Sequence, residues 1–233
     1  MQIAKQSPIR NTGTGDGWRP GEAALIVVLA WLGGLLSGAT TILFLRPALR
    51  LSYYEIRTYG ITETLVLCGM VLFPLPIVLR HVRNKPVAEM LESISWNCSD
   101  RVFVIAGSVG LGGGFCLSAI KRFLTGQRFA KEEWIYIFAF AVTMLATALI
   151  EEIYFRGILY VALRTRIGSS WSIGLVTILF CLMHGRSTYL VIPIAVLLGV
   201  IRVYTNSTRA SFAAHAMYNL SLIVVMAPIR IYW

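Results

Sequence analysis

Glu151 and Glu152 stand side by side in TALIEEIYFRGILY, an otherwise apolar stretch, with Arg156 four residues after the second. The other nine of the eleven acidic residues fall in tails, loops or the ends of apolar runs. An ionised carboxylate within a membrane costs several kcal/mol unless it is paired or hydrated, so this pair marks a functional site by default. The i, i+4 spacing stacks Glu152 and Arg156 on one helix face, where the guanidinium can neutralise and orient the carboxylate. Glu151 lies about 100° around the helix and is expected to face a wet cavity as a general base. A plainer account makes the three residues an ion-pair staple between helices.

Two of the three histidines stand in comparable surroundings. His184 closes the run TILFCLMHG, one helical turn after Phe180, and His215 opens AAHAMYNLS, one turn before Asn219. A lone histidine in an apolar helix is usually a packing residue; two beside a double glutamate point to a shared site. Counting from the charged helix ends puts Glu151 and His184 at similar depth, roughly 20 Å from one surface. His215 then falls nearer that surface, so the set would line a cavity opening to that side.

The elements that must position these residues are apolar runs long enough to cross a bilayer, which takes about 18 to 20 uncharged residues. We read spans over 23–45, 61–79, 102–120, 134–163, 171–183, 189–204 and 211–228. The fold class expected is all-α, a polytopic membrane helical bundle of about seven transmembrane helices. Residues 1–22 read as a flexible polar tail without a signal peptide, so that the first run acts as an uncleaved anchor. Residues 23–130 then hold the N-terminal helices and loops, and 131–233 the helices that carry the site. Gly34 and Gly38 in the first run, and Gly107, Gly110, Gly112, Gly113 and Gly114 in the third, offer thin surfaces for close packing. Pro74 and Pro76 are expected to kink or end the second run. The loop from Arg80 to Asp100 contains PVAEMLESISW, a candidate interfacial helix with Trp96 at headgroup level. The fourth run, about 45 Å long as a helix, must tilt or overhang.

With 57% hydrophobic and only 14% charged residues, a soluble domain is excluded in favour of a multi-pass integral membrane protein. The net charge of +10 lies in short loops, as topology signals and contacts for lipid headgroups do, which argues against nucleic acid. Eleven basic residues on one side against nine on the other barely favour a cytoplasmic N-terminus. The four cysteines lack CxxC spacing and read as small buried hydrophobes rather than a disulfide or zinc framework.

EEIYFRG, FCLMH and HAMYN together resemble the EExxxR, FxxxH and HxxxN motifs of the CAAX protease and bacteriocin-processing (CPBP/Abi) family. These are intramembrane glutamic endopeptidases related to Ras-converting enzyme. The motifs occur in the family's order, and the likeness covers about residues 134–225. The resemblance implies that Glu151 activates a water with His184 helping to hold it. His215 and Asn219 would then stabilise the oxyanion, while Glu152 and Arg156 position these groups. It further implies metal-free hydrolysis with no cofactor, on a membrane-anchored or lipidated peptide or protein, in a bacterial or archaeal cytoplasmic membrane. The residues themselves leave rivals open. Glu151, His184 and His215 could form a two-histidine, one-carboxylate zinc site, although HExxH is absent. An ion or proton-coupled transporter would be expected to show inverted repeats, and none is evident. A non-catalytic immunity or partner protein could dispense with Glu151 or Asn219, and this chain keeps both. The sequence carries no signal for oligomeric state.

Overall fold

A computed structural model describes residues 17–48, 61–83, 85–125, 134–185 and 188–226. All regular structure among these residues is helical. Helix α1 (Pro20–Thr40) runs through the wide turns Thr41–Leu45 into the short α2 (Arg46–Ala48). It is followed by α3 (Ile61–Leu72), α4 (Leu75–Val82), α5 (Val87–Ser93) and α6 (Asp100–Thr125). The region of the acidic pair is α7 (Trp134–Glu151), a wide-turned segment Glu152–Leu159, and α8 (Tyr160–Ile167). Helices α9 (Ser169–Leu182), α10 (Thr188–Thr205) and α11 (Thr208–Met226) complete the chain.

The polar tail expected over 1–22 lies outside the described residues up to 16, and of its last residues Trp18 packs against the bundle while Pro20, Gly21 and Glu22 already belong to α1. Pro20 already occupies the first helical positions of α1, where its missing N–H costs nothing. Trp18 before it is buried and stacks on His81 of α4 with ring centroids 3.6 Å apart. Along α1, Ala23, Ile26, Val27, Ala30, Gly33 and Gly34 turn inward at helical spacing. The opposite face, Leu25, Val28, Trp31, Leu32, Leu35 and Leu36, is exposed. A helix apolar on both faces belongs in hydrocarbon, not water.

Two described helices are long and apolar enough to cross a membrane, Pro20–Leu45 with 26 residues and Asp100–Leu117 with 18. A third span results if Thr64–Leu72 and Leu75–Val82, bent by 48°, count as one. Pro74 and Pro76 sit at that bend, where the sequence placed it. Helix α9 and the apolar part of α10, Val191–Thr205, are shorter, and the rod from Trp134 to Ile167 is interrupted by Glu151, Glu152 and Arg156. The described residues thus show two or three clear spans of the seven expected.

The segment expected at headgroup level also packs against the bundle. α5 forms, but Trp96 behind it packs on Phe212 of α11 at 5.6 Å. The Ile94 and Ser95 carbonyls accept bonds from the Thr208 hydroxyl at 2.6 Å and the Thr208 N–H at 2.9 Å. Arg209 donates to the Cys98 carbonyl at 3.3 Å. The loop thus caps the start of α11. The four cysteines form no disulfide; Cys181 is buried, while Cys68 and Cys116 are exposed, against the burial expected of them.

Small residues set the helix spacing. On α1 the closest approach is at Gly33, not Gly34 or Gly38: a Cβ on Gly33 would collide with the Gly69 carbonyl of α3. On α6 the closest backbone approach is at Gly110, where a Cβ would collide with the carbonyl of Ala214, the residue before His215, while a Cβ on Gly114 would collide with the Ser221 hydroxyl. Gly112 has nothing within 4 Å. Gly110→Ala should therefore push α11 away and destabilise by about 1–3 kcal/mol, whereas Gly112→Ala should stay within about 0.5 kcal/mol of the parent. Thermal unfolding of both variants in detergent checks this pair.

Candidate active site

The rod that carries the acidic pair is not a uniform α-helix. Over Glu152–Leu159 the backbone bonds widen to i→i+5, ending with the Tyr160 N–H on the Phe155 carbonyl. Such widening is uncommon and occurs frequently at functional sites. Glu152, Phe155, Arg156, Ile158 and Leu159 of this stretch are buried, because α1, α9 and α11 pack on it.

Glu152 is fully buried and surrounded by donors. Arg156 Nη1 and His215 Nδ1 each lie 2.9 Å from its Oε1, and the Ser211 hydroxyl donates to Oε2 at 2.6 Å. The carboxylate is an acceptor, so Nδ1 of His215 carries the proton in that bond. The other ring nitrogen, Nε2, then faces Glu151, whose Oε2 is 3.8 Å away. One imidazole thus bridges both glutamates, tightly to Glu152 and loosely to Glu151. Arg156 neutralises Glu152, which leaves Glu151 and His215 as the second pair able to share a proton. Glu151 also keeps some access, its side chain 14% exposed against 0% for Glu152.

Phe180 joins the remaining parts. It is buried, with the Arg156 guanidinium 4.2 Å above its ring centre. The His184 ring lies 4.6 Å from it on one side and the His215 ring 5.9 Å away. Stacking under Arg156 gives the cation a π partner, while Nε and Nη2 of that guanidinium have no hydrogen-bond partner. His184 Nδ1 donates to the Phe180 carbonyl at 2.7 Å, so its Nε2 is left as an acceptor. The chain turns away immediately afterwards through Gly185 at φ 55°, left-handed backbone that suits glycine.

Of the six residues expected from sequence, Glu151, Glu152, Arg156 and His215 form one contiguous cluster. His184 reaches it through Phe180 and not by a direct bond. Asn219, one turn beyond His215, directs its amide Nδ2 to the Met144 carbonyl of α7 at 3.2 Å and so ties α11 to α7. The geometry does not assemble the zinc ligand set: among the described residues no three His, Cys, Asp or Glu side chains gather closely enough to hold a metal. Sequence reading missed Ser211, although it stands four residues before His215 in the alanine-rich RASFAAHA, and is therefore on the same helix face. It missed Phe180 as a site residue, although the FxxxH spacing contained it. The buried Arg202 and the loop carbonyls on Thr208 left no comparable signal.

Residues 133–221, which include all six, match the family described as Type II CAAX prenyl endopeptidase Rce1-like. No curated protein and no solved structure matches the chain.

Removing the Ser211 hydroxyl leaves one oxygen of a buried carboxylate without a donor, and such a loss costs about 1–3 kcal/mol. Ser211→Ala should lower the unfolding temperature accordingly, as read by differential scanning fluorimetry in detergent, while Ser211→Thr, which keeps the donor, should recover part of the loss.

Proposed function

We propose, from the match of residues 133–221 to the Rce1-like CAAX prenyl endopeptidase family, that the protein is an intramembrane endopeptidase. It hydrolyses a peptide bond in a membrane-anchored or lipidated protein or peptide, using a glutamate-activated water. The observation that supports this most is the single imidazole of His215 held between a neutralised, fully buried carboxylate and a second, partly accessible one.

In this reading Glu151 is the general base. Water bound beside it, with one hydrogen donated to Nε2 of His184, gives its other proton to Glu151 and attacks the scissile carbonyl. His215, held by Glu152 through Nδ1, donates from Nε2 to the oxyanion that forms, and the Asn219 amide adds a neutral donor at the same end of α11. The bond to Glu152 fixes the ring orientation, as a buried carboxylate does for histidine in other hydrolases. Glu151 then returns its proton to the leaving amine as the carbon–nitrogen bond breaks. Arg156 and Phe180 act earlier in the chain of contacts, by keeping Glu152 ionised and in place. The reaction uses only side chains and water.

The same reading takes the helices as a multi-pass bundle of about seven spans, in which the exposed apolar faces of the shorter α9 and α10 meet lipid. The substrate approaches from the bilayer, since its anchor or lipid keeps the cleavage site close to the membrane.

Purified protein in lipid vesicles, given a C-terminally prenylated CAAX peptide and an unprenylated membrane-anchored peptide, tests this by mass spectrometry of the products. Wild type should release a defined C-terminal fragment from at least one of them. Glu151→Ala and His184→Ala should each abolish the release, lowering the rate by at least about a hundredfold, with expression and membrane insertion unchanged. Wild-type-like cleavage by both variants would refute the mechanism.

A further inference from the structure

A helix that passes from i→i+5 bonding back to i→i+4 leaves one carbonyl without a helical donor at the change of register. Here the last wide bond ends on the Phe155 carbonyl, and the next acceptor along the chain is the carbonyl of Arg156. Its donors come from other helices. Arg202 of α10 brings Nε to 3.0 Å, and the Thr208 hydroxyl lies at 3.4 Å. A hydroxyl has one proton, and Thr208 places its own on the Ile94 carbonyl at 2.6 Å. Arg202 is therefore the donor that the Arg156 carbonyl depends on.

Arg202 is unusual in its own right. It is fully buried, and none of the ion pairs among the described residues includes it. Its guanidinium lies over the Tyr160 ring at 4.6 Å, and Nη1 reaches the Asn206 side-chain oxygen at 3.2 Å. A buried cation in a membrane bundle is costly, and a methionine would fill similar volume without that cost. What methionine lacks is the N–H directed at the Arg156 carbonyl.

We propose that Arg202 is a positioning residue for the acidic pair: its Nε–H caps the carbonyl that the change of helical register leaves open at Arg156. The cap holds the wide turns over Glu152–Leu159. Without it the helix can return to regular α bonding, which shifts the register by one residue and turns one side of the site against the other by about 100°. Glu152 then loses alignment with Ser211 and His215. The effect on turnover rests on the endopeptidase reading; the effect on the backbone does not.

The test compares Arg202→Met, Arg202→Lys and Asn206→Gly, reading kcat and KM separately together with amide hydrogen exchange over residues 152–161. Asn206→Gly removes the side chain that Arg202 and Arg164 share, suits the φ of 50° at that position, and leaves the carbonyl cap. Arg202→Met should lower kcat by about tenfold or more at unchanged KM and accelerate exchange across 152–161. Arg202→Lys, which keeps a donor, should restore most of both, and Asn206→Gly should stay within about twofold of wild type in kcat. Native exchange and kcat in Arg202→Met would overturn the proposal, as would an equal disturbance by Asn206→Gly. If wild type cleaves nothing, the endopeptidase reading fails and the exchange data alone decide the role of Arg202. If Arg202→Met does not fold, Arg202→Lys decides: native exchange supports the cap, and exposed amides over 152–161 overturn it.

Discussion

A carboxylate sealed inside an apolar helix bundle is tolerated only when its charge is paired and its oxygens accept hydrogen bonds, and Glu152 imposes that demand on everything around it. Its partners come from two separate stretches of chain, Arg156 on its own rod and Ser211 with His215 on α11. Helix α11 must therefore lie within one side-chain length of the rod. The close contact of Gly110 with Ala214 keeps the helix behind it from forcing α11 out of position. Asn219 fixes the same helix to α7 at Met144, so the bonds of α11 also set where the histidine points.

The neutralised pair then creates an asymmetry that chemistry can use. Glu152 and Arg156 compensate each other, and His215 is held by Nδ1 with its second nitrogen turned to Glu151. Two adjacent glutamates of the same sequence type thereby acquire different environments, one sealed and one partly accessible. Phe180 extends the arrangement by carrying Arg156 on its face and His184 at its edge. Burial, hydrogen bonding and ring contacts together place four helical segments around one polar cluster.

Much of this was legible because it repeats at helical spacing. The i, i+4 relation of Glu152 and Arg156 gave their contact directly, and His215 with Asn219 could be read as one turn of the last helix. The bend at Pro74 followed from proline's missing donor. What escaped the sequence was set by tertiary packing. The widening over Glu152–Leu159 left no periodic signal, since nearly every residue of that stretch is buried and no exposed face marks the turn. The loop around Ile94 read as polar and interfacial, yet its carbonyls are the acceptors that cap α11, a fact visible only once Thr208 is brought to them. Arg202 looked like one more basic residue at a helix end.

The division between the two glutamates is the centre of the account, and paired isosteric substitutions test it most directly. Thermal unfolding and peptide cleavage measured on the same preparations of Glu151→Gln and Glu152→Gln should separate. Glu151→Gln should unfold at the wild-type temperature and cleave nothing. Glu152→Gln should unfold at a markedly lower temperature, because Arg156 and His215 lose the charge they hold. Equal loss of stability in both variants, or cleavage by Glu151→Gln at the wild-type rate, would contradict it.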